Sequence, residues 1–122
     1  MRNVPITMAW SIVSNAGYHN CYETALGWQI MRPEEAIVGR VLTAQYIPLQ
    51  PDFNKAIMDQ GRAEGRLGNS NSWPIDMLQK GDVYVADGFG KVLDGTLIGD
   101  NLGNAIYARS GNGVIFNAGV RD

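Results

Sequence analysis

Apolar residues recur along this chain in two rhythms, and the change from one to the other marks out its elements. From Thr7 to Ala16, the residues Met8, Ile12, Val13 and Ala16 fall at helical spacing, which predicts a first helix with Thr7 as its cap and Gly17 as its stop. The run AIVGRVLTAQYIPL, Ala36 to Leu49, is rich in β-branched and aromatic residues and reads as a strand that leaves into a loop at Pro48 and Pro51. Helical spacing returns between Asp52 and Gln60, where Phe53, Ala56 and Ile57 share one face, and this helix is expected to fade at Gly61.

The polar segment GRAEGRLGNSNS, residues 61–72, reads as a loop. Ser72 can cap a short helix that carries Pro74 in its first turn, where a missing N–H costs nothing, and that helix is expected to end near Lys80 and Gly81. DVYVADG, Asp82 to Gly88, reads as a buried strand running into an acidic, glycine-containing end. After a further loop, Gly99 and Asp100 open a helix with Leu102, Ala105, Ile106 and the stem of Arg109 on its apolar face and Gly111 at its C-cap; GVIFNAG is the strand that follows. Strands alternating with helices argue for an α/β layered domain.

Length and composition narrow this picture. With 122 residues, the chain is expected to form one domain burying about two-thirds of the surface its unfolded form exposes. A net charge of −2 gives no field that would hold nucleic acid or an anionic membrane, so neither is expected as a direct partner. No apolar run approaches the ~20 residues of a membrane span, and the N-terminal residues lack the apolar core and cleavage site of a secretory signal. Cys21 is the single cysteine, which excludes an internal disulfide and a cysteine-based metal cluster and fits a reducing, cytoplasmic compartment.

Two places carry candidate chemistry. The first is the start of the late helix, where the backbone N–H groups of Asn101, Leu102 and Gly103, together with the helix dipole, form a ready site for a carboxylate or phosphate. Asp100 there reads either as the helix N-cap or as a carboxylate facing a cation. The second is Arg121-Asp122, a charged pair after a strand and a glycine turn. Such a pair is usually a solvated ion pair, but in open α/β sheets ligands gather beyond the carboxyl ends of strands, where both VADG and NAGVRD lie. His19 has no accompanying nucleophile signature, DGFGKVLDG lacks phosphate-loop spacing, and Trp10, Trp28 and Trp73 read as packing residues.

The elements Gly81-Asp82-Val83, Asp87-Gly88, Gly99-Asp100, Ala105 to Gly111, Gly113-Val114 and Gly119-Val120-Arg121-Asp122 keep the order and spacing of the RraA-like family, which the chain resembles best over residues 78–122. VGRVLTAQ, Val38 to Gln45, is similar to an earlier strand of that family, and the likeness weakens between Pro48 and Ser72. The family includes class II pyruvate aldolases acting on 4-hydroxy-4-methyl-2-oxoglutarate and 4-carboxy-4-hydroxy-2-oxoadipate, and regulators that bind and inhibit a ribonuclease.

The resemblance implies a layered β/β/α swivelling-domain fold in a homotrimer or dimer of trimers, with the site between subunits. It implies a lyase dependent on Mg²⁺ or Mn²⁺ that cleaves a C–C bond of a 4-hydroxy-2-oxo acid to give pyruvate, with oxaloacetate decarboxylation through the same enolate. Asp122 would bind the metal directly and Asp100 through water, Arg121 would pair with the pyruvyl oxygen, and the backbone from Gly99 through Asn101, Leu102 and Gly103 would receive the carboxylate. The alternative is a non-enzymatic regulator of a ribonuclease. Family members continue past the Arg-Asp motif, so a chain ending at Asp122 is expected to be a fragment of a longer protein or a shortened relative, with an inactive fragment or scaffold as a third reading.

Overall fold

Three short runs rich in β-branched and aromatic residues pair as parallel strands, and their register fixes which side chains share each face of the sheet. The computed structural model describes residues 3–21, 27–93 and 98–121. The chain divides into two units, Met1–Val38 and Gly39–Asp122.

The first unit contains α1, Ile6–Asn15. Pro5, not Thr7, occupies the N-cap position, because its fixed φ of −56° sets the chain up for a helix and its carbonyl accepts the N–H groups of Met8 and Ala9. Thr7 is therefore a helical residue, and its carbonyl accepts the Ser11 hydroxyl at 3.0 Å. The expected stop holds: Gly17 donates to Ser14 and Tyr18 to Val13, the paired bonds of a Schellman end. Core or interface packing is expected of the tryptophans, and within the chain Trp10 and Trp28 are exposed, so they are not core residues.

In the second unit, β1 (Arg40–Gln45), β2 (Asp82–Asp87) and β3 (Val114–Asn117) form a parallel sheet in the order β1-β2-β3. The expected strand from Ala36 to Leu49 contracts to β1 because its partner is short: Arg40 pairs with Asp82 and Gln45 with Asp87, and only Tyr46 N–H reaches one step further, to the Asp87 carbonyl. Parallel neighbours need crossovers. Between β1 and β2 these are α2 (Pro51–Ala63) and α3 (Trp73–Asp76), and between β2 and β3 it is α4 (Asp100–Ser110).

Gly61 does not end α2. It is buried within the helix because a Cβ there would overlap the ring of Trp73, so the glycine is the seat for that indole, and the helix closes three residues later with Gly65 and Arg66 donating to Arg62 and Gly61. α3 is shorter than expected: the Ser72 hydroxyl turns back to the Asn69 carbonyl at 2.7 Å and does not cap.

The core lies on one face of the sheet. Ile75 and Leu78 come from and after α3, Ile106 from α4, Tyr84 and Ala86 from β2 and Ile98 from the approach to α4, with Leu42, Ala44, Val114 and Phe116 packed beside them. Tyr84 and Phe116 meet edge to face, centroids 5.9 Å apart. The Tyr84 hydroxyl lies 3.0 Å from that of Tyr46, and burial, reinforced by this bond, raises the phenol's pKa. The head of Arg109 reaches α3 and donates to the Asp76 carboxylate at 2.6 Å.

At the amino end of β2, Asp82 is 3% exposed and fully partnered: Arg40 donates Nε and Nη2 to its two oxygens at 3.0 Å each, and the Gln79 N–H donates at 2.9 Å. The Arg40 bonds first, then that of Gln79, hold the carboxyl below the usual carboxylate range. Among the described residues no helix is long and apolar enough to cross a membrane.

Candidate active site

The chain reaches α4 in extended conformation and turns at Gly99, which has φ −130° and ψ −166° and occupies the N-cap. Its carbonyl accepts the Gly103 N–H at 2.9 Å. Asp100 is consequently the first helical residue and not the N-cap, and its Oδ1 accepts the N–H of its neighbour Asn101 at 2.7 Å. Of the three donors expected to hold an anion, Asn101 and Gly103 therefore have acceptors within the helix start in this arrangement, and Leu102 follows as the third residue of the helix. An acidic side chain in the first turn also complements the helix dipole.

Arg121 lies beside this turn. Ile98 and Val120 form an isolated parallel bridge, and the Arg121 N–H donates to the Ile98 carbonyl at 2.8 Å. The two segments run in the same direction, so Arg121 follows Val120 as Gly99 follows Ile98. Residues far apart in sequence are thereby joined at the carboxyl side of the parallel sheet, the side on which open α/β sheets hold ligands. Arg121 and Asp100 are both exposed. Asp122 lies outside the described residues.

A second group stands on the same side. Gln45, Asp87 and Asn117 end their three strands in register and share the face opposite the core. Asp87 is the hub: its Oδ2 accepts Gln45 Nε2 at 2.8 Å, and its Oδ1 accepts Asn117 Nδ2 and the Phe89 N–H, each at 2.9 Å. Phe89 sits at φ 60°, a left-handed conformation uncommon for an aromatic residue and one often found where the fold imposes a sharp local path.

A family model described as Aldolase/RraA matches residues 13–122. The chain belongs to the RraA-like family. No curated protein matches it, and neither does any solved structure.

In this RraA-like chain, donor chemistry decides which residues could hold a divalent metal. Mg²⁺ and Mn²⁺ take hard oxygen ligands, and Mg²⁺ is commonly held by one or two carboxylates with the rest of its shell filled by water and substrate. Asp100 is an oxygen donor of the right kind at an exposed helix start, with Oδ1 taken up by the Asn101 N–H; among the described residues no three acidic, histidine or cysteine side chains cluster. Gln45 and Asn117 carry no motif in the sequence. The Asp87-Gly88 turn was visible as a motif, but the convergence of two amides on its carboxylate depends on strand register, which no local pattern states.

Proposed function

We propose that this RraA-like protein is a divalent-metal-dependent lyase that cleaves a C–C bond of a 4-hydroxy-2-oxo acid to release pyruvate, and that it decarboxylates oxaloacetate by the same chemistry. The observation that carries the reading is the backbone bond from Arg121 to Ile98, which brings a guanidinium-bearing residue to the opening of α4.

In this reading the first turn of α4, Gly99 through Asn101, Leu102 and Gly103, receives the substrate carboxylate through backbone N–H groups, aided by the helix dipole. Asn101 and Gly103 exchange their present acceptors for it to the extent that the turn opens. Arg121 donates to the 2-oxo oxygen of the pyruvyl half. For a 4-hydroxy substrate, the hydroxyl proton passes to solvent water, the C3–C4 bond breaks as the C4 oxygen becomes a carbonyl, and the electron pair passes through C3 to the C2 oxygen. For oxaloacetate the same bond breaks with departure of CO₂. Arg121 holds the negative charge on that oxygen, a charge larger in the transition state than in the ground state, and protonation at C3 gives pyruvate. Asp100 and Asp122 would hold Mg²⁺ or Mn²⁺, which when bound supplies Lewis acidity toward the 2-oxo group.

The same reading carries a layered β/β/α swivelling-domain architecture, a homotrimer or dimer of trimers and a cytoplasmic location. The test is pyruvate release from oxaloacetate in a coupled assay, with EDTA and after restoring Mg²⁺ or Mn²⁺. Release that EDTA abolishes and metal restores is the expected result. No release with either metal overturns the reading and moves attention to binding and inhibition of a ribonuclease.

A further inference from the structure

The segment that carries Arg121 is held along one edge by successive backbone bonds. Gly88 and Gly90 each donate to the Asn117 carbonyl at 3.0 Å, Gly119 donates to the Lys91 carbonyl at 2.9 Å, and Arg121 donates to Ile98 at 2.8 Å. The first three bonds come from the short loop 88–91 and exist only while that loop keeps its path. The path is not one the loop adopts unaided, since Phe89 must take φ 60°. What holds it is Asp87: its Oδ1 accepts the Phe89 N–H two residues on, closing the turn, and the same oxygen accepts the side-chain amide of Asn117, the residue whose carbonyl the loop bonds. Gln45 fixes the other carboxylate oxygen from the neighbouring strand. Contact is close enough that a Cβ on Gly119 would lie 2.9 Å from the Val92 carbonyl oxygen, so a shift of the loop moves residues 117–121 directly.

We infer that Asp87 is a positioning residue: by locking loop 88–91 against Asn117 it sets the course of the strand that delivers Arg121 to the opening of α4. It acts through backbone and touches neither Arg121 nor the first turn of α4 in any bond described. Its consequence for catalysis rests on the lyase reading above; its consequence for backbone order does not. The Asp87 carboxylate stands on the sheet face opposite the buried core residues Tyr84 and Ala86, so the effect of removing it is expected to be local.

The test is amide hydrogen exchange on the wild type, Asp87→Ala, Asp87→Asn and Asn117→Ala. Exchange at Gly119 and Arg121 is expected to accelerate about tenfold or more in Asp87→Ala, with the strand amides of Val83 and Val85 unchanged, because the bonds lost belong to a local opening. Asp87→Asn, which keeps an acceptor at Oδ1, is expected to restore most of the protection, and Asn117→Ala, whose side chain is exposed, to reproduce part of the loss. Protection at Gly119 and Arg121 equal to wild type in Asp87→Ala overturns the inference, and so does a uniform rise that includes Val83. In the coupled assay, Asp87→Ala is expected to lower kcat by about 10²-fold with little change in KM, since misplacement of a group that acts in the transition state costs that much. A wild type with no pyruvate release defeats the lyase reading alone, and the exchange data still decide the role of Asp87.

Discussion

Arg121 and Ile98 are joined backbone to backbone at 2.8 Å, and this bond converts two separate sequence motifs into one place on the surface. The helix that starts at Asp100 and the strand that ends before Arg121 are consecutive elements, yet the end of the strand returns to the start of the helix because β3 runs parallel to β2 and α4 must run back between them. The bridge between Ile98 and Val120 extends that pairing beyond the three-stranded sheet.

Arg121→Ala is expected to reduce metal-dependent pyruvate release by about 10²–10³-fold, the range for losing one donor to a developing oxyanion. Its thermal midpoint should stay close to wild type, because interactions of an exposed side chain contribute little to stability and the bond to Ile98 comes from the backbone. Steady-state kinetics with a parallel melting curve measures both.

Gly61→Ala is expected to cost about 1–3 kcal/mol, the range for overpacking a well-filled site, because the new methyl meets the Trp73 ring. Combined with Trp73→Ala the two losses should fall short of their sum, since the smaller side chain removes the overlap. Urea unfolding of the two single variants and the double variant gives the coupling.

Stability is expected to fall in acid through Asp82. Its folded pKa is depressed by Arg40 and Gln79 relative to the unfolded chain, so the folded carboxylate binds its proton later than the unfolded one does. The contribution is complete above the ordinary carboxylate pKa of about 4 and is lost as pH falls from there through the folded value. Asp82→Asn should be less stable near neutral pH and show a flatter loss below pH ~4. Denaturant midpoints across that range check the sign.

Ile106→Ala is expected to cost about 2–5 kcal/mol, the range for truncating a fully buried aliphatic side chain. Ile106 is 1% exposed and joins α4 to the sheet, so the variant should also weaken the helix whose start forms the candidate site. Circular dichroism under thermal unfolding reads the loss.

The periodicity of the chain by itself determined that helices and strands alternate, that Gly17 and Gly111 end helices, and that a glycine and an acid open α4, because these depend on local dihedral preferences and side-chain spacing. Its motifs marked Arg121 and Asp100 as candidate chemistry. Tertiary structure decided what local patterns leave open. Strand β1 stops at Gln45 because β2 offers no further register, α2 runs through Gly61 because Trp73 needs the space, and the helix start is capped by Gly99 because the chain arrives there extended from its bridge to Val120. Above all, the convergence of Gln45 and Asn117 on Asp87 exists only once three strands are in parallel register. Backbone pairing between distant segments carries that information, and a sequence read one window at a time does not contain it.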